Sequence, residues 1–133
     1  MNVDDTVGSA SGDRLSFVSH KGQSIFIVDC SHCSAKEMLA LSEQVRIIVA
    51  RHPRGSLLIL TDLNHAEVDK KVATRMKEVF TLDRPYVKRS AWVHAESVPH
   101  VFYENIKSFS QREIPIFKTR EEAMDWLVSP AGN

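Results

Sequence analysis

The segment most suggestive of chemistry is Cys30-Ser31-His32-Cys33, which separates two thiols by two residues. A Cys-x-x-Cys pair between a strand and a helix is typical of thioredoxin-like redox sites, where the helix N-terminus lowers a thiol pKa. Ser34 is a better helix N-cap, however, so both thiols are predicted in the preceding loop. We interpret the two cysteines as small loop residues and keep a thiol redox protein as the outlying alternative.

The same segment could also hold a metal ion. Structural zinc sites take four ligands, whereas Cys30, Cys33 and His32 supply two or three, and no second Cys-x-x-Cys follows. His20 and His65 could complete a site, but nothing in their spacing requires it. We therefore predict no metal ion and no other cofactor.

Polar residues also follow the next two predicted strands. Asp62, Asn64 and His65 come after the third strand, and His94 and Glu96 come after the fourth. In parallel α/β sheets the loops after the strand C-termini share one edge, where ligands bind. A histidine near a carboxylate could do acid–base chemistry, but the chain has no glycine-rich phosphate loop, no Gly-x-Ser-x-Gly and no His-Glu-x-x-His. We interpret these residues as caps, turns or partner contacts and predict no catalytic residue.

Apolar spacing and turn residues predict the elements that position these side chains. Residues 14–30 are predicted to form a hairpin that turns at Lys21-Gly22-Gln23, with a continuously apolar second strand typical of burial on both faces. Capping boxes at 34–37 and 119–122 predict the starts of two helices. The predicted helices cover residues 34–51, 68–81, 97–110 and a last segment from 119, and the remaining strands cover 57–60, 90–93 and 114–117.

The order ββαβαβαβα predicts an α/β fold with a mostly parallel five-stranded sheet and helices packed on it. Pro115 lacks a donor N–H, so the last strand is predicted at a sheet edge. Residues 1–13 are predicted to be a disordered tail, 14–129 a single domain and 130–133 a C-terminal tail.

The composition excludes some classes of function. The 17 basic and 17 acidic residues balance, whereas a general nucleic-acid binder normally shows a basic excess. No apolar run approaches the roughly 20 residues that span a bilayer, and the first residues do not resemble a secretory signal. Two cysteines without an export signal favour a cytoplasmic protein with reduced thiols.

Two stretches resemble a known family. The first is Leu58-Ile59-Leu60-Thr61-Asp62-Leu63-Asn64, a strand that ends in an Asp-containing turn. The second runs from Arg84-Pro85-Tyr86-Val87 to the ending Phe117-Lys118-Thr119-Arg120-Glu121-Glu122-Ala123-Met124-Asp125-Trp126-Leu127. Over about residues 14–128 the chain is similar to the STAS fold (sulfate transporter and anti-sigma-factor antagonist), in its bacterial SpoIIAA-like, STAS/SEC14-like branch.

The resemblance implies a non-catalytic regulatory module that docks a protein partner. In antagonist proteins of the family, phosphorylation of a Ser at the start of the helix after the third strand switches the docking. Lys70 stands near that position here, and Thr74 is the nearest hydroxyl in the helix. The sequence therefore departs from the family at the switch. Similarity to lipid-carrier folds implies the alternative, a carrier or sensor of a small lipophilic ligand.

Each function makes a prediction about residues. The partner-binding residues are predicted along the edge and the second helix: Asp62, Asn64, His65, Asp69, Lys70, Thr74 and Arg75. The alternative ligand pocket is predicted between the sheet and the second and third helices: Met76, Phe80, Phe102, Tyr103 and Ile106. If Phe102 and Tyr103 are partly exposed, the third helix could instead form a homodimer face.

Overall fold

A computed structural model describes residues 13–130, in which five strands and four α-helices alternate along the chain. The strands are β1 (Leu15–His20), β2 (Gln23–Asp29), β3 (Leu57–Asp62), β4 (Val87–Val93) and β5 (Ile116–Phe117). The helices are α1 (Ala35–Val49), α2 (Lys70–Asp83), α3 (His100–Ser110) and α4 (Arg120–Leu127). Two 3-10 helices, Arg84–Tyr86 and Ala95–Ser97, flank β4. The α/β class and the predicted order of elements are confirmed.

The strands form one sheet in the order β1-β2-β3-β4-β5. β1 pairs with β2 in antiparallel register, and every other neighbouring pair is parallel. Parallel crossovers are right-handed, so three crossovers that advance in the same direction bring α1, α2 and α3 to one face of the sheet. α4 returns across the other face and packs on β3 and β4. The predicted edge position of the strand that follows Pro115 is confirmed.

A separate core lies on each face of the sheet, because side chains alternate along each strand. Phe26, Ile59 and Trp92 are buried under α1, α2 and α3. The other face buries a smaller set against α4: Ile25, Ile27, Leu58, Leu60, Ala91, Val93, Ala123 and Leu127. β2 and β3 contribute to both cores, which explains their nearly continuous apolar sequences.

Helix starts follow local capping chemistry. Ser34 and Glu37 form a reciprocal capping box before α1, and the Thr119 hydroxyl accepts the N–H of Glu122 before α4. α3 begins at His100 rather than at the predicted residue 97. Pro99 explains the difference, because the residue before a proline is disfavoured in a helix and Val98 is accordingly extended.

No helix within residues 13–130 is long and apolar enough to cross a bilayer. The predicted terminal tails, 1–13 and 130–133, lie outside the described residues except for Asp13 and Pro130.

Candidate functional site

Two aspartates meet at the C-terminal edge of the sheet. Asp29 ends β2, Asp62 ends β3, and the two are register partners, so their side chains lie on the same face of adjacent strands. Like charges at that spacing repel each other. Arg120, the first residue of α4, lies between them, with Nε 2.8 Å from Asp62 Oδ2 and Nη2 3.5 Å from Asp29 Oδ1. The turn that starts α4 therefore places one positive charge between the two carboxylates at the ends of β2 and β3.

The surroundings of Asp29 favour its charged form. Burial alone would raise its pKa, but hydrogen bonds from Ser31 and the charges of Arg120 and Arg14 lower the pKa below its usual value. Arg14 also donates Nη1 to the Asp29 carbonyl at 3.0 Å and to the Ser31 carbonyl at 2.8 Å. The loop after β2 is thus held from both sides by guanidinium groups.

The loops after β2 and β3 have the same construction. They are Asp29-Cys30-Ser31-His32-Cys33 and Asp62-Leu63-Asn64-His65-Ala66. In each loop the aspartate Oδ1 accepts the N–H two residues later, at 3.0 Å in both cases. In each, the N–H of the fifth residue donates to the carbonyl of the second, at 3.1 and 3.0 Å. In each, the second and fifth residues are buried and the histidine is exposed. We call these segments the Asp-to-His loops.

The histidines of the two loops stack on each other at the surface. The ring centroids of His32 and His65 are 5.0 Å apart, with an angle of 24° between the ring planes. Adjacent strands lie about 4.8 Å apart, so identical loops on register-paired strands place their fourth side chains at that spacing. The His32 N–H also donates to the Asn64 carbonyl at 2.8 Å, which joins the loops directly.

Both histidines have a left-handed backbone, with φ of 57° at His32 and 55° at His65. This conformation costs a non-glycine residue roughly 1 kcal/mol or more. The hydrogen bonds of the Asp-to-His loops offset that cost. The sequence interpretation missed this repeat, although the shared pattern of Asp, any residue, Ser or Asn, His and a small residue is visible in both segments.

The two cysteines are buried and not joined by a disulfide. Burial raises the pKa of both thiols, and at Cys30 the charges of Cys33 and Asp29 add to the rise. A reactive thiol needs the opposite shift, because the thiolate is the nucleophile. Within residues 13–130, no group of three or more His, Cys, Asp or Glu side chains is placed to hold a metal ion.

The predicted partner-binding residues divide into a loop group and a helix group. Asp62 is buried and Asn64 partly buried, whereas His65 and Lys70 are exposed. The helix group has structural contacts of its own. Asp69 caps α2 by accepting the Val72 N–H, the Thr74 hydroxyl donates to the Lys70 carbonyl, and Arg75 pairs with Glu43 and Glu78.

An exposed link joins the loop group to the start of α1. The Glu67 carboxylate accepts the Ala35 N–H at 2.7 Å, and the Glu67 N–H donates to the Cys33 carbonyl at 2.9 Å. Ser97 donates its hydroxyl to the Ala66 carbonyl at 2.8 Å and so ties in the segment after β4. Backbone and side-chain hydrogen bonds therefore fix the whole edge.

Two of the five residues of the predicted ligand pocket line the cavity between the sheet, α1 and α2. Met76 and Phe80 line a cavity of about 60 Å³ between the sheet, α1 and α2, which is small beside the several hundred Å³ of a typical ligand pocket. Phe102, Tyr103 and Ile106 instead belong to the core around Trp92, whose ring centroid is 5.3 Å from that of Tyr103. The Tyr103 hydroxyl donates to the Ile114 carbonyl at 2.6 Å.

Comparison of the chain with protein-family models, with curated proteins and with solved structures gave no match. The similarity to the STAS fold stays a prediction from the residues that carry it. Chemically, the edge offers two exposed imidazoles, each with a ring nitrogen that donates and one that accepts a hydrogen bond when neutral. They stand on loops fixed by carboxylates and guanidinium groups.

Proposed function

We propose that the chain is a non-catalytic, STAS-like regulatory or interaction module of the cytoplasm, and that it docks a protein partner through the Asp-to-His loops and the first turns of α2. The observation that carries the proposal is the stacked, exposed pair of His32 and His65 on left-handed backbone. Strained backbone persists where the surrounding structure enforces it, and such positions cluster at functional sites.

Rigidity of the edge supports docking. A surface that is ordered before binding loses less conformational entropy when a partner binds. Here the hydrogen bonds of the two loops, the Arg120 bridge and the Glu67 link order the edge in the free chain. α2 begins shortly after His65 and exposes Lys70 in its first turn. An exposed imidazole pair, together with an exposed ammonium group at the start of the following helix, suits a partner surface with acidic and hydrogen-bonding groups.

The test is quantitative affinity capture, followed by measurement of Kd with the protein that is captured. The edge variants are His32→Asn with His65→Asn, and Lys70→Glu. Asparagine tolerates left-handed backbone, so the double variant removes the imidazoles while keeping the loop conformation. The matched control is Lys88→Glu, an exposed lysine at the opposite, N-terminal end of β4.

We expect each edge variant to weaken the complex about tenfold or more, as loss of an interface contact worth about 1.4 kcal/mol would do. The control should bind like the unmodified chain. A captured partner that binds both edge variants and the control with unchanged Kd would refute docking at this edge.

A further inference from the structure

The cavity between the sheet, α1 and α2 has mostly apolar walls. Val28 and Ile59 of the sheet line it, together with Leu41 and Val45 of α1 and Met76 and Val79 of α2. Apolar cavities gain little from holding water, because water needs several polar partners. An aliphatic group would replace missing van der Waals contacts along these walls.

One part of the cavity wall is charged and polar. Asp83, Ser90 and Arg112 also line the cavity. Arg112 donates to the Ser90 hydroxyl and to the Phe80 carbonyl, and its guanidinium lies 4.6 Å from the centroid of the Phe80 ring. Arg46 donates to Asp83 Oδ1 at 3.0 Å. Arg46 therefore contacts the buried carboxylate and Arg112 acts on it through its charge, so two guanidinium groups stand against one carboxylate and leave a net positive charge in this cluster.

The buried charges of Arg112 and Asp83 in this part of the cavity wall are not fully compensated by each other. Burial lowers the pKa of Arg112 to about 10, although the charge of Asp83 acts in the opposite direction. Burial also raises the pKa of Asp83 despite the hydrogen bond from Arg46. A buried charge is costly unless it is paired. A second anion beside Arg112 would supply the missing compensation.

We propose that this cavity binds a short-chain monocarboxylate, with the carboxylate at Arg112 and Ser90 and the aliphatic chain between Leu41 and Met76. The size follows from the volume. One water needs about 10–15 Å³ measured in this way, so about 60 Å³ has room for about four to six heavy atoms. Met38 and Met76 have flexible side chains that can adjust to the chain. The cavity reaches the buried Cys30 of the first Asp-to-His loop, but its lining includes none of the residues substituted in the docking test, so either proposal can fail alone.

The first test uses the unmodified protein and three probes of equal chain length: butanoate, butan-1-ol and butylamine. Binding is followed by ¹H–¹⁵N chemical-shift titration. We expect butanoate to shift the amides around Ser90, Met76 and Arg112, and to bind about tenfold or more tightly than butanol, because it adds charge-assisted hydrogen bonds. Butylamine should bind more weakly than butanol. Equal binding of the acid and the alcohol, or no binding of the acid, would overturn the proposal.

The second test removes the positive charge of Arg112. Arg112→Gln should abolish the preference for butanoate over butanol. Arg89→Gln is the matched control, since Arg89 also donates to a main-chain carbonyl, that of Trp126, and also lies over an aromatic ring, but on the α4 side of the sheet. An equal loss of preference in both variants would contradict the assignment. If Arg112→Gln fails to fold, the dependence of binding on chain length is the test: tighter binding of dodecanoate than of butanoate would overturn a site of this size.

Discussion

Replacing Arg120 by methionine would show how strongly the edge depends on one guanidinium group. Asp62 is only 5% exposed, and Arg120 Nε is its charged partner at 2.8 Å. Removing one member of a fully buried ion pair costs about 3–5 kcal/mol. The Arg120 side chain is 39% exposed, however, so water can partly replace it. We expect the free energy of unfolding to fall by about 2 kcal/mol, which corresponds to roughly 6–8 °C in Tm for a domain of this size.

The assay is equilibrium urea unfolding followed by circular dichroism and by tryptophan fluorescence, since Trp92 is fully buried. Arg75→Met is the matched control. Arg75 also bridges two carboxylates, but the side chains of Glu43 and Glu78 are 65% and 54% exposed. Exposed pairs contribute little, so we expect the control to cost about 0.5 kcal/mol or less.

A double-variant cycle identifies the cause of the loss. Asp62→Asn on the Arg120→Met background removes the unpaired buried charge, so we expect the two substitutions to be less than additive by about 1 kcal/mol or more. The reasoning is refuted if Arg120→Met costs no more than Arg75→Met. It is also refuted if the costs of Asp62→Asn and Arg120→Met simply add.

Three further predictions concern stability. Burial raises the pKa of Cys30 and Cys33 above 9.0, so the stability they contribute is complete below about pH 9 and falls as pH rises further, by up to about 1.4 kcal/mol per pH unit for each thiol. Urea unfolding at pH 8 and pH 10 measures this fall, and an unchanged dependence of the free energy of unfolding on pH in Cys30→Ala would contradict it. His65→Val should lower the free energy of unfolding by about 1–2 kcal/mol, because a β-branched residue is strained at positive φ, whereas His65→Asn should cost clearly less. Equal losses of the two variants in urea unfolding would argue against backbone strain as the cause. Ser34→Ala should cost about 1 kcal/mol by loss of the capping box, and a thermal-denaturation curve unchanged from the unmodified chain would count against it.

The sequence predicts the elements of this fold because the information for them is local. Ser34 with Glu37 marks the start of α1, and the apolar runs of β2 and β3 report burial on two faces. The proline at residue 115 likewise indicates an edge strand. Where the start of α3 was mispredicted, the cause was also local: Pro99 stands inside the apolar pattern and excludes Val98 from the helix.

The site depends on long-range pairing, which the sequence pattern does not contain. In the sequence, Arg120 is only one residue of a predicted helix start. Its contacts with Asp29 and Asp62 arise because the sheet register brings these two aspartates together beside it. The stack of His32 on His65 likewise needs the parallel pairing of β2 with β3. Strand order determines which helices enclose a cavity. The sequence could therefore assign Met76 and Phe80 to an apolar wall, but it could not identify α1 as the helix on the opposite side.

The Asp-to-His loops are related by a shift of one strand, with only the twist between neighbouring strands as rotation, and this relation limits how a partner can recognise them. A group that fits the loop around His32 would fit the loop around His65 equally well after sliding by about 5 Å. The partner would then occupy two positions of nearly equal energy, unless contacts outside the loops favour one of them. The chain supplies such a difference in its neighbours, since Arg14 braces the first loop and Arg120 binds the aspartate of the second most closely. Unique positioning of a partner would then depend on these two arginines rather than on the histidines that it contacts.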